Sequence, residues 1–152
     1  VNNFARTPQG NDRSQLMAVA NGLADLAIAN TYYIGIMLAG KGGQDQLEAA
    51  NKLKIAFPNQ DNRGAHVNIS GGGILKHAPN KDNAEKFLEF LLSEEAQTHI
   101  VNNSFEYPVI DTISPHPLIQ SFGEFKMDKT SVADFGKFNP EAVKLMDRAG
   151  WK

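Results

Sequence analysis

Cysteine is absent from this chain of 152 residues. That excludes disulfides, thiolate metal sites and cysteine nucleophiles. It leaves the compartment open, because a cysteine-free chain suits the cytosol and equally a bacterial periplasm, where a stray thiol risks wrong pairing. A basic surplus is missing too. Against 17 Asp and Glu there are 15 Lys and Arg, a net charge of −2, and the pI is near 6.1. The chain therefore carries no electrostatic footprint for nucleic acid. No apolar run approaches the roughly 18 residues of a membrane-spanning helix, and no cationic leader precedes an apolar stretch. The sequence opens without methionine, Val1-Asn2-Asn3-Phe4-Ala5-Arg6, and enters a turn-rich stretch at once. It reads as part of a longer protein. Tyrosine is scarce as well, with three in all, of which Tyr32 and Tyr33 are adjacent.

Apolar residues make up 41% of the chain and charged residues 21%, which is ordinary for a globular domain with a real core. Asn11 and Asp12 are helix caps before Leu16, Val19, Ala20 and Leu23, an i, i+3, i+4, i+7 pattern, with Gly22 near its end. Leu26-Ala27-Ile28-Ala29 is continuously apolar, as in a strand buried on both faces of a parallel sheet. After the tyrosines, residues 34–38 and 44–51 are expected to be helical. Strands are expected at 53–57, at 67–76 with Gly71, Gly72 and Gly73 in its middle, and at 105–110. Pro79-Asn80 opens a helix with Ala84, Phe87, Leu88 and Leu91 on one face. Ser93 caps a second, from Glu94 to about Asn102. Prolines and a glycine punctuate a long connection after Pro108. The last helix is expected to start at Asn139 as cap with Pro140 in its first turn, and to stop at Gly150. Helices alternating with buried strands predict an α/β layer.

Catalytic motifs do not form. The four histidines, His66, His77, His99 and His116, make no i, i+4 pair and no HExxH. Ser70-Gly71-Gly72-Gly73 lacks the GxSxG spacing of a nucleophile elbow, and Gly40-Lys41-Gly42-Gly43 is not followed as a phosphate loop requires. The carboxylates fall mainly on helix surfaces. The expectation is a protein that is not an enzyme.

The tyrosine pair has two readings. Half-buried tyrosines at strand ends, with bonded hydroxyls, are common. Alternatively, two phenols converge on one ligand. Adjacent side chains diverge on a regular strand or helix, so convergence calls for an irregular strand-to-helix junction, and the carboxyl ends of strands are where open α/β sheets bind ligands. A phenol with pKa about 10 is neutral at pH 7. A hard, highly charged cation stabilises the phenolate and drives the proton off, and ferric iron suits that role best.

Ala5-Arg6-Thr7-Pro8-Gln9-Gly10-Asn11-Asp12 and Ala27-Ile28-Ala29-Asn30-Thr31-Tyr32-Tyr33 resemble the ferric-iron-binding periplasmic proteins of bacterial ABC importers. So do Phe57-Pro58-Asn59-Gln60, Arg63-Gly64-Ala65-His66-Val67-Asn68-Ile69-Ser70-Gly71, Glu106-Tyr107-Pro108-Val109 and Ala149-Gly150-Trp151-Lys152. Each match is weak alone, but together they keep the family's order along the whole chain. The resemblance implies an α/β periplasmic solute-binding fold, bilobed and class II-like, of which this chain is the carboxy-terminal half. It implies residues 1–52 in one lobe with the Tyr-Tyr motif, 53–110 in the other, and 111–152 as a connection and terminal helix returning to the first. It implies Tyr32 and Tyr33 as ligands of Fe(III), with a synergistic anion, carbonate or phosphate, in some members. The remaining ligands would lie in the missing amino-terminal half, and His66 would be structural or cleft-lining. The implied partners are the ferric ion, that missing half and an ABC permease in the inner membrane. Two alternatives stay open: the same fold binding an anion, sugar or polyamine, and an enzyme on an α/β scaffold.

Overall fold

The computed structural model describes residue 1 and residues 3–151; Asn2 in the opening stretch and Lys152 at the end of the last motif lie outside them. Among the described residues the regular structure is seven helices. The first, α1 (Asp12–Ala20), starts at Asn11, whose side chain accepts the Ser14 N–H while Ser14 returns a bond to the Asn11 backbone. This reciprocal capping box leaves Asp12 in the first turn with a carboxylate the cap does not use. The helix ends at Asn21, and Gly22 follows at φ +72°. The expected apolar face is therefore cut short, and Leu23 lies beyond it, 61% exposed.

Helix α2 (Thr31–Leu38) starts three residues before the expected position. Both tyrosines thus sit in its first turn. It packs with α1 and α3 (Gln44–Ala50) around a core of Leu16, Ile34, Met37, Ala49 and Ala50, with Tyr33, Leu38, Leu53, Ile55 and Phe122 against its rim. Gly35 is where a neighbour approaches closest. A Cβ there would stand 2.7 Å from Cβ of Phe105 and 3.0 Å from Cδ1 of Ile119, both fully buried side chains. Phe105 ends α5 (Glu94–Ser104) in the left-handed conformation at φ +61°, and Ile119 belongs to α6 (Pro117–Gln120), a helix inside the stretch expected to be a connection. The tyrosine helix is thus wedged against two elements distant in sequence. Overpacking a core costs about 1–3 kcal/mol, whereas alanine regains up to about 1 kcal/mol of helix propensity over glycine. Gly35→Ala is expected to lose about 1–2 kcal/mol net, read as a lower urea midpoint at unchanged slope.

Helix α4 (Lys81–Leu91) opens after Asn80 as expected. Its apolar face is only partly covered: Ala84, Leu88 and Leu91 are half-buried and Phe87 is exposed. In α5 the Ser93 cap accepts the Ala96 N–H at 3.2 Å, again as expected. The last helix starts earlier than expected. Helix α7 (Val132–Arg148) is capped by Ser131 and carries Pro140 inside it, so Asn139 is interior rather than a cap. The Ser131 cap and Asp134 in the first turn start the helix two turns early. Pro140 then withholds one intrahelical bond.

The expected strands do not pair. Residues 26–30, 53–57, 67–75 and 105–108 run without regular structure, and the pairing seen among the described residues is one parallel bridge, Ala65 to Met127. A strand needs a neighbour about 4.8 Å away, and among the described residues none of these segments is paired with another. Leu26 and Ile28, expected in a buried strand, are 76% and 92% exposed. Beside residues 53–55 an open groove of about 410 Å³ is lined by Ile34, Leu38, Leu53, Ile55 and Phe122. Side chains, not a ladder, join residues 57–64 to 124–128. Phe57 stacks on Phe125 at 4.1 Å, and Gln60 both accepts the Lys126 N–H and donates to its carbonyl.

Candidate metal centre

Tyr32 and Tyr33 occupy the second and third positions of α2, after the extended cap residue Asn30. Their rings stand 4.0 Å apart, tilted by 31°. They stand where the extended residue Asn30 gives way to a helix, and the rings stack there. In the first turn no preceding turn of helix confines the side chains, so two adjacent phenols can lean together. Tyr33 rests against the rim of the core, and both are half-buried.

Two carboxylates flank the pair. Asp12, from the start of α1, accepts the Asn30 N–H at 2.9 Å. Glu106, just past α5, accepts the Ser70 hydroxyl at 3.0 Å and lies 3.2 Å from that of Ser104. The Tyr32 phenol is pushed up to about 12, first by hydrogen bonding with Tyr33, then by burial, then by the negative charge of Tyr33, Asp12 and Glu106. Such a field disfavours an isolated phenolate and favours a multiply charged cation. Sequence reasoning missed both carboxylates. Asn11-Asp12 puts two cap-formers in a row, and since a helix uses one, the second is spare; that was the available signal. Glu106 stood within a quoted motif with no role attached.

The histidines are placed elsewhere. His116 caps α6 through the Leu118 N–H and meets the Phe105 ring edge-on at 4.8 Å. His66 lies against Phe135 at 5.4 Å, and His99 neighbours Asn103 on α5. Tyr107, the third tyrosine, has its hydroxyl buried without a partner and its ring edge on Phe125 at 5.5 Å; burial raises its pKa. Among the described residues no three His, Asp or Glu side chains group as a metal site. No described helix is long and apolar enough to cross a membrane.

Two half-buried phenols on a helix start, with Asp12 and Glu106 close by, offer adjacent oxygen donors in a negative field. The chain belongs to the bacterial extracellular solute-binding proteins, whose family profile matches residues 2–98. It is 49% identical to iron uptake protein A1 of a Synechocystis species, over all of this chain and 42% of that protein. Among solved structures it is similar to a Trichodesmium protein in complex with iron and citrate, at 48% identity and TM-score 0.89, covering 99% of this chain and 47% of that one. It is also similar to the ferric binding protein of Campylobacter jejuni, at 41% identity and TM-score 0.93, with the same coverage. The fold is thus that of the solute-binding proteins, as the resemblance implied. The chain spans about half the length of these relatives. All three are named for taking up or binding iron, none for catalysis.

Proposed function

We propose that this chain supplies one side of a ferric-ion capture site in a periplasmic binding protein that delivers iron to an ABC permease of the inner membrane. Tyr32 and Tyr33 bind the ion as phenolates. The observation that carries this reading is the stacked pair of phenols in a negative field, in a chain closely similar to iron-binding proteins. Two phenolates are too few for a trivalent ion. The remaining ligands come from chain beyond this one, as the half-length coverage of the relatives supports, with an anion such as carbonate or phosphate completing the shell. The Trichodesmium relative binds citrate with its iron, which supports an anionic oxygen partner.

Residues 1–52, 53–110 and 111–152 divide between two lobes in this proposal. The common core of α1, α2 and α3 supports the first unit, and the packing of Phe105 and Ile119 against Gly35 brings the end of α5 and α6 onto it as well. The edge-on contact of Trp151 with Phe4 at 5.8 Å supports a terminal helix that returns to it. Residues 53–57, which join no strand among the described residues and lie beside an open groove, suit pairing with chain outside this segment.

Titrating ferric citrate into the intact protein that carries this chain tests the reading. The expected result is a visible phenolate-to-iron charge-transfer band saturating at one ion per chain. A protein that stays colourless, or binds anions without metal, would sink it.

A further inference from the structure

We infer that Asp12 is a positioning residue for the tyrosine pair, a carboxylate on α1 that fixes where α2 begins. The inference rests on the ferric reading above for its metal readout, and on geometry alone for its structural one.

The start of α2 is poorly held from within. Its cap residue, Asn30, has the extended conformation of a cap (φ −74°, ψ 142°) but its side chain makes no capping bond. The segment feeding into it, residues 26–30, joins no strand among the described residues and carries the exposed Leu26 and Ile28. What holds Asn30 is its own N–H, donated to Oδ1 of Asp12 at 2.9 Å across 18 residues of sequence. A carboxylate acceptor makes that bond roughly twice as strong as a neutral one.

Asp12 is itself well anchored. Asn11 and Ser14 complete the α1 cap between them, so the Asp12 side chain is not consumed there. Leu16 and Ala18 bury the helix. Gln15, one turn on, donates to the Gln9 carbonyl at 2.7 Å and accepts from Arg6 at 3.1 Å. The bond to Asn30 thus couples a packed helix to a helix start that lacks its own clamp, two residues before Tyr32. Ligand geometry must be held to about 0.5 Å, and supporting groups of this kind typically matter 10–100-fold for metal affinity.

Three variants of the intact protein separate positioning from the alternatives. Asp12→Asn keeps an acceptor oxygen and drops the charge. Asp12→Ala drops both. Asn30→Pro keeps the carboxylate and deletes the donor, at a residue whose φ already suits proline. If Asp12 positions, ferric affinity falls about tenfold or more in Asp12→Ala and Asn30→Pro, with a weakened or shifted charge-transfer band at saturating iron, and Asp12→Asn recovers most of it. The double variant Asp12→Ala/Asn30→Pro is no worse than either single one. In the metal-free protein the Asn30 amide exchanges at least about tenfold faster in Asp12→Ala than in wild type or Asp12→Asn. Equal losses in Asp12→Asn and Asp12→Ala would assign the effect to charge or to direct ligation and overturn the inference. So would unchanged exchange in Asp12→Ala. If Tyr32→Phe also leaves iron binding intact, it is the ferric reading that fails, and the exchange result still decides whether Asp12 holds α2.

Discussion

Tyr32→Phe and Tyr33→Phe are each expected to weaken ferric binding by at least about a hundredfold, since even groups behind the ligands are worth 10–100-fold, and to remove most of the charge-transfer absorption. The substitution deletes one oxygen and leaves the ring. The stacking at 4.0 Å and the contact of Tyr33 with the core are apolar interactions that phenylalanine keeps, so the thermal midpoint of the metal-free protein should move little. That separation matters. A variant that lost iron because α2 had come loose would also lose stability, whereas a lost ligand leaves stability alone. The double variant is expected to be colourless. Competition against a chelator of known ferric affinity measures the loss. A change of less than about threefold in both single variants, small beside the 10–100-fold typical of mere supporting groups, would remove the tyrosines from the site.

How far the sequence could be read depended on whether a feature is local. Capping and helix periodicity are settled within a turn or two, so α4 and α5 begin where Asn80 and Ser93 said they would. The early start of α7 shows the limit of that logic: Asn139-Pro140 is a sound helix opening, but the Ser131 cap upstream was already sufficient. Strands depend on partners, and an apolar run such as residues 26–29 states a preference that only a neighbouring strand can satisfy. Within this chain that neighbour is not found among the described residues. For the site, the adjacent tyrosines were legible because the pairing is written in the sequence. Asp12 and Glu106 were not, because one reaches Asn30 from 18 residues away and the other meets Ser70 across 36. The wedge at Gly35 was invisible for the same reason. Nothing near it in sequence announces Phe105 or Ile119.

The dependence of iron affinity on acidity is the second large effect, and its slope counts the ligands. Ligation replaces the proton on each phenol with the metal, so a site using both tyrosines releases two protons per ion at neutral pH. Apparent affinity, corrected for the competitor and for hydrolysis of the free ion, should fall at least about a hundredfold for each unit of pH lost, with any proton-bearing ligand from the rest of the protein adding to the slope. The Tyr32 phenol, raised to about 12 in the metal-free protein, keeps its proton throughout the range of the experiment, so the slope stays constant there. Folding does not confuse the measurement. A phenol whose folded pKa exceeds the ordinary 10 contributes stability that is complete below pH 10 and lost between 10 and about 12. Asp128, held below the usual carboxylate range chiefly by the Thr130 hydroxyl and N–H, contributes stability lost only as pH falls beneath that range. Between pH 5 and 8 neither group changes the fold, and the slope reports the site. In Tyr32→Phe or Tyr33→Phe it should drop by one proton relative to the wild type, whatever affinity remains. A wild-type slope of one would mean that a single phenolate binds, and a slope near zero would mean that neither does.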